Sequence, residues 1–327
     1  MKCLNDFLNL DGFIFEKEYN SISLDPDHFT PGFLTALAAF IKTNNVPEKE
    51  FHAFDEQMSY LRTVGFHKEL WQIGDNINRV NCGRTYSPLT PLKSLGEVDL
   101  ANTTINNCIR ELVNQEKSEG IASLFRVVGE LHDNVWSHGK STGFSMAQRT
   151  RVPNTSGADH YIHFALADSG LGFLEELNRA KIEIKDHQSA IEWCIQEGNS
   201  SKLKKNNEDD WTQRLPEDLI GGDPMMGFGG EVPENNHQGL GLAHLIKLII
   251  DYKGELQLCT GNALLIIDSL GKRTYKILKN EWKGVAISCR FKMSELRQSI
   301  KKNTLEDSAR KHIIIERLRG VKNDQSI

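Results

Sequence analysis

The stretch EGIASLFRVVGELHDNVWSH, residues 119–138, decides how the chain is read. Ile121, Leu124, Phe125, Val128, Leu131 and Val135 recur with a period close to 3.6, which predicts an amphipathic helix with one buried stripe. Glu130, Asn134 and His138 follow one another at steps of four, so the same helix presents them jointly as a polar stripe. A carboxylate can orient or deprotonate a nucleophile, and an Asn amide oxygen is a hard neutral ligand suited to a magnesium ion that also contacts phosphates. Taken alone, this stripe reads more simply as a solvated helix face.

Two further patterns follow downstream. Residues 161–167 (YIHFALA) predict a strand that runs directly into DSGLG at 168–172. Asp168 ends that strand before Gly170 and Gly172, where its carboxylate can accept a hydrogen bond from an adenine amine while the glycine backbone lies close to the base. A tight turn capped by Asp has the same sequence. GLGL at 239–242 opens an apolar helix expected over 243–252. The N–H groups of Gly239, Gly241 and Leu242, with the positive helix end, could receive a triphosphate, although a linker entering a buried helix would look alike. Each signal is weak by itself. Together they occur in one order, each on the element its chemistry needs: helix, strand end, helix start.

ELHDNVWSHG resembles the N box of GHKL ATPases, and most of all the ELxxNAxxHG form of the bacterial anti-sigma-factor serine kinases. ADSGLGF resembles their G1 box, QGLGLAHLIKLIIDYKGELQL their G2 box with the strand after it, and WKGVAISCRF their closing strand, with Val285 where Thr is usual. The resemblance covers roughly residues 103–293 and implies a Bergerat fold, an α/β sandwich with a mixed sheet and a mobile lid over the nucleotide. It implies ATP and magnesium as cofactors, Glu130 as catalytic base, Asn134 as magnesium ligand and Asp168 as adenine reader. Gly170, Gly172, Gly239, Gly241 and Leu242 would cradle the nucleotide, with His138 near the ribose or phosphates.

Outside the motifs, strands are expected at 12–15 and 21–24 and a helix at 31–42, with Pro31 in its first turn. SISLDPDHFTPGFLTALAAF (21–40) and YLRTVGF (60–66) resemble, more loosely, a STAS-like module, the partner of anti-sigma kinases. In such modules a Ser or Thr at the turn is phosphorylated; Thr30 is the nearest candidate, and capping the helix is its other role. Pro88 and Pro91 place a boundary there. The expected organisation is a STAS-like α/β domain at 1–95, a GHKL ATP-binding domain at 96–293 with a long lid at 175–238, and a polar helical tail at 294–327. Within it, helices are expected at 103–115 and 188–195 and strands at 143–149, 255–259, 264–267, 274–278 and 285–291. Charged residues 202–210 and the glycine-rich 220–230 lengthen the lid beyond what a compact kinase needs.

A net charge of -5 on 327 residues argues against general nucleic-acid binding, no stretch reaches membrane-span length, and the first thirty residues lack a secretion signal. Six dispersed cysteines form no CxxC pair, as expected of reduced thiols in a cytoplasmic protein. The expected partners are ATP and a protein, STAS-like or regulatory, with no membrane; a homodimer stays open. The first functional reading is a bacterial signalling kinase that phosphorylates Ser or Thr of a partner. The alternatives are an ATP-hydrolysing switch acting through lid or dimerisation, in stress response or anti-phage defence, and a non-catalytic nucleotide-dependent binding module. A sensor histidine kinase is disfavoured, because His67 is not in an HExxxP setting and 103–115 contains no histidine.

Overall fold

The computed structural model describes residues 1–74, 77, 79–135, 142–153, 155, 159–199 and 241–298. The first part of the chain forms α1 (Leu4–Leu8), β1 (Phe13–Glu16), β2 (Ser21–Leu24), α2 (Pro31–Asn44), β3 (Phe51–His52), α3 (Asp55–Thr63), α4 (Phe66–Trp71) and β4 (Thr90–Leu92). There follow α5 (Leu95–Leu112), α6 (Glu119–Asn134), β5 (Gly143–Arg151), β6 (His160–Asp168), α7 (Phe173–Arg179) and α8 (His187–Cys194). Last come α9 (Gly241–Asp251), β7 (Glu255–Ile267), β8 (Arg273–Lys292) and α10 (Met293–Leu296). The chain is an α/β protein, and among the described residues no helix is long and apolar enough to cross a membrane.

Strands β4, β5, β6, β8 and β7 lie side by side in that order, and each neighbouring pair is antiparallel. This corrects the expectation of a mixed main sheet. β5–β6 and β7–β8 are consecutive in the chain and return directly on themselves, which makes them antiparallel, whereas a parallel pairing needs a crossover. Among the described strands the parallel pairing is β2 with β3, in a small sheet ordered β1-β2-β3. The four strand segments expected between 255 and 291 are two long strands. At Gly261 (φ +55°) the register shifts, so the ribbon bends there without ending.

Both faces of the main sheet are covered. Leu258, Ile287 and Phe291 join a core with α5, α6 and α9, while Cys259, Leu264 and Ala286 join a core with the N-terminal segment. Burial on both sides explains why β6 reads as the continuous apolar run FALA instead of alternating. Helix α2 lies across β5, β6 and β8. It approaches so closely at Gly32 that a Cβ there would stand 2.5 Å from the Ser288 hydroxyl.

Residues 1–95, expected to form a domain of their own, therefore share their core with the five-stranded sheet and supply its edge strand β4. A sheet apolar on both faces needs a layer on each, and α2 with its fully buried Phe33, Leu34 and Leu37 is the second layer. Thr30 occupies the N-cap position of α2, but its buried side chain makes no capping hydrogen bond, contrary to the expected capping role. The described part of the expected lid, residues 175–199, is also packed: Leu177, Ile182 and Ala190 form a small core under α7 and α8, which rest on β7. The stretches 202–210 and 220–230 and the tail beyond 298 lie outside the described residues.

Candidate functional site

Helix α6 is the element on which the site is built. Ser118 caps it, accepting from the Ile121 amide at 3.1 Å and donating to the Leu296 carbonyl at 2.6 Å, so the helix start is tied to α10. Ile121, Leu124, Val128, Leu131 and Val135 are buried as their spacing predicts, together with Val127; Phe125 is only partly buried, beneath the Arg110 guanidinium. These six buried side chains, at about 1.5–3 kcal/mol each, hold this helix face down.

The other anchor is His132, fully buried between α5 and β5. Its Nδ1 is 2.7 Å from Asn102 Oδ1 and its Nε2 is 2.7 Å from Ser145 Oγ. An amide oxygen only accepts, so Nδ1 carries the proton and the Ser145 hydroxyl donates to Nε2. Burial pushes the His132 pKa down to about 3, which keeps the ring neutral. The Ser–His–Asn order resembles a nucleophilic triad, yet Ser145 and His132 have no exposed surface, so the network fixes α6 and does no chemistry on a ligand.

Strand β6 delivers Asp168, 5% exposed, at its last position. Its Oδ1 accepts from the Gly170 amide at 2.7 Å, so the residue caps its own turn. Gly172 continues the turn at φ +74°, where a Cβ would lie 2.8 Å from Thr260 Oγ1. The Thr260 hydroxyl, fully buried, accepts from the Phe173 amide at 3.1 Å and donates to the Gly284 carbonyl at 3.0 Å. One hydroxyl thus fastens the start of α7 to β8. Gly284 stands at φ +98°, and a Cβ on it would lie 2.4 Å from the Asp168 carbonyl oxygen.

Helix α9 brings Gly241 and Leu242 against α6. A Cβ on Gly241 would come within 3.1 Å of Glu130 Cβ and 3.3 Å of Asn134 Nδ2, so this close crossing uses the missing side chain. One turn later, His244 Nδ1 lies 3.0 Å and 3.2 Å from the two oxygens of Glu130.

These elements enclose one cavity. Asn134, Asp168, Gly172, Gly241 and Leu242 line it, from three separate stretches of the sequence. Its walls are mainly apolar: Leu131, Leu166, Phe173, Leu177 and Ile287 contribute, and Val285 fills the position where Thr was expected. Cys194 also faces it, with its thiol pushed up to about 12 by burial, so it is an inert lining group.

No protein-family model, no curated protein and no solved structure was found to match the chain. The site is therefore read from its own geometry.

Glu130 and Gly170 are not part of the cavity wall: Glu130 stands one turn before Asn134 against His244, and Gly170 acts on Asp168. Gly239 and His138 lie outside the described residues. Sequence reasoning missed Thr260, Gly284, His132 and His244. The first three carry no local pattern, because their partners stand on other elements, from 13 to more than a hundred residues away. His244 sits within the quoted G2-like string, and its spacing of three from Gly241 was the available signal. Among the described residues no cluster of three or more His, Cys, Asp or Glu could cage a metal. A magnesium ion would thus depend on Asn134, on phosphate oxygens and on waters.

Proposed function

We propose that the chain binds ATP in this cavity and transfers its terminal phosphoryl group to a Ser or Thr hydroxyl of a protein partner. The observation that carries the reading is the convergence of Asn134, Asp168, Gly172, Gly241 and Leu242 on one cavity. The apolar walls suit a planar base, and Asp168 is a buried acceptor at its end, suited to the exocyclic amine of adenine. The start of α9 would face the phosphates with its N-terminal amides. Asn134 would hold magnesium, which when bound neutralises phosphate charge.

Glu130 stands one turn before Asn134 on α6, and both side chains approach Gly241 at the start of α9. In the proposed step the partner hydroxyl oxygen forms a bond to the terminal phosphorus while the bond to the leaving ADP oxygen breaks. Glu130 accepts the hydroxyl proton. The form of the N-box-like string favours a hydroxyl acceptor over water. The partner would be a STAS-like protein, and setting and compartment follow the same reading: bacterial signalling in the cytoplasm.

Calorimetry of ATP with and without magnesium tests the pocket, using wild type, Asp168→Asn and Asn134→Ala. Binding should be lost in Asp168→Asn, and its magnesium dependence lost in Asn134→Ala. A folded wild type that binds no ATP would refute the proposal.

A further inference from the structure

The contact between His244 and Glu130 is not used by the proposal above, and its geometry is specific. Both oxygens of Glu130 lie within hydrogen-bond distance of the same ring nitrogen, at 3.0 Å and 3.2 Å. An ionised carboxylate has no proton to give, so Nδ1 of His244 carries the hydrogen and donates it, shared between the two oxygens. The side chains are about one-third and one-quarter exposed, so the pair sits at the rim of the site and not in a sealed core.

The contact depends on the backbone around it. Gly241 and His244 are three residues apart on α9 and therefore share the face turned to α6. Because Gly241 has no side chain, the helices approach until Glu130 Cβ would be 3.1 Å from any Cβ placed there. That approach brings His244, one turn along α9, within reach of the Glu130 carboxylate. A glutamate has three side-chain torsions, and an unheld carboxylate at a rim would sample several rotamers, most of them directed away from a reacting group.

We infer that His244 is a positioning residue: its Nδ1–H holds the Glu130 carboxylate in the orientation from which it accepts the proton of the attacking hydroxyl. This rests on the phosphoryl-transfer reading of the site. It adds a requirement that this reading lacks, a hydrogen-bond donor on the third residue after Gly241. Asn at this position keeps a donor N–H near the place of Nδ1, whereas Leu fills similar space without one.

The test uses the full chain and magnesium ATP, with phosphate release to water as the minimal reaction. Wild type, Glu130→Gln, His244→Asn and His244→Leu are compared for kcat, for KM and, by calorimetry, for ATP affinity. His244→Leu should lower kcat roughly 10- to 100-fold, as a displaced catalytic group does, with ATP affinity within about threefold of wild type. His244→Asn should recover most of the lost rate. Wild-type kcat in His244→Leu, while Glu130→Gln is inactive, overturns the role of His244 and leaves the parent reading intact. Equal loss in the Asn and Leu variants with ATP binding also lost marks a structural residue and overturns it too. A wild type whose turnover survives Glu130→Gln overturns the parent assignment of the base and this role with it.

Discussion

Lowering the pH should destabilise this protein through His132, and the size of the effect follows from its burial. The ring pKa falls from its ordinary value of 6.5 to about 3 in the folded chain, with burial as the cause. The folded-state value is depressed, so the contribution is fully present above pH 6.5. It is lost as the pH falls from there towards 3, because the unfolded chain takes up a proton that the folded chain cannot accept. Each pH unit in that window removes about 1.4 kcal/mol. Between about pH 7.5 and about pH 5.5 the loss from this residue is about 1.4 kcal/mol, since the first unit lies above the unfolded pKa. Urea unfolding of wild type and His132→Gln at the two pH values isolates it. The variant loses the Asn102 and Ser145 partners in part and is less stable at pH 7.5, but the gap should narrow by about 1.4 kcal/mol at pH 5.5. An unchanged gap would mean that His132 titrates as an ordinary surface ring, and the clamp on α6 would be refuted.

Other consequences follow from the same packing. His163, buried and beside Arg290, has its pKa lowered to about 4, and a His163→Gln variant should show the same narrowing, read by the same unfolding experiment. Gly284→Ala forces a Cβ into the Asp168 carbonyl at a positive φ, which should cost about 3 kcal/mol of stability and weaken ATP binding; calorimetry showing unaltered affinity would count against the coupling. Thr260→Val removes the hydroxyl that ties Phe173 to Gly284 and should cost about 1–3 kcal/mol, measured by denaturant midpoint. Phe33→Ala empties a fully buried site in the core that α2 shares with the sheet, at about 3–5 kcal/mol, and thermal unfolding should remain a single transition. A separate early transition for residues 1–95 would argue for an independent domain.

Local pattern alone specified a good deal. Helix α6 and its buried stripe, α2 with Pro31 in its first turn, and the apolar strand ending at Asp168 each carry a periodicity or punctuation readable within a dozen residues. The motif residues Asn134, Asp168, Gly172, Gly241 and Leu242 could be selected the same way, because each stands at a helix face, a strand end or a helix start. Strand direction could not: an antiparallel and a mixed sheet use the same apolar strands, and only the order in which they meet distinguishes them. The burial of the N-terminal segment against the sheet was equally hidden, since Gly32 needs Ser288 beside it to have a meaning. Tertiary structure also decided which polar groups serve the fold and which face the cavity. His132 and His244 are both helix histidines in apolar runs, and one is sealed between Asn102 and Ser145 while the other meets Glu130 at the rim. Sequence periodicity reports which side of a helix is apolar; it holds no information about what another helix, more than a hundred residues away, brings to the opposite side.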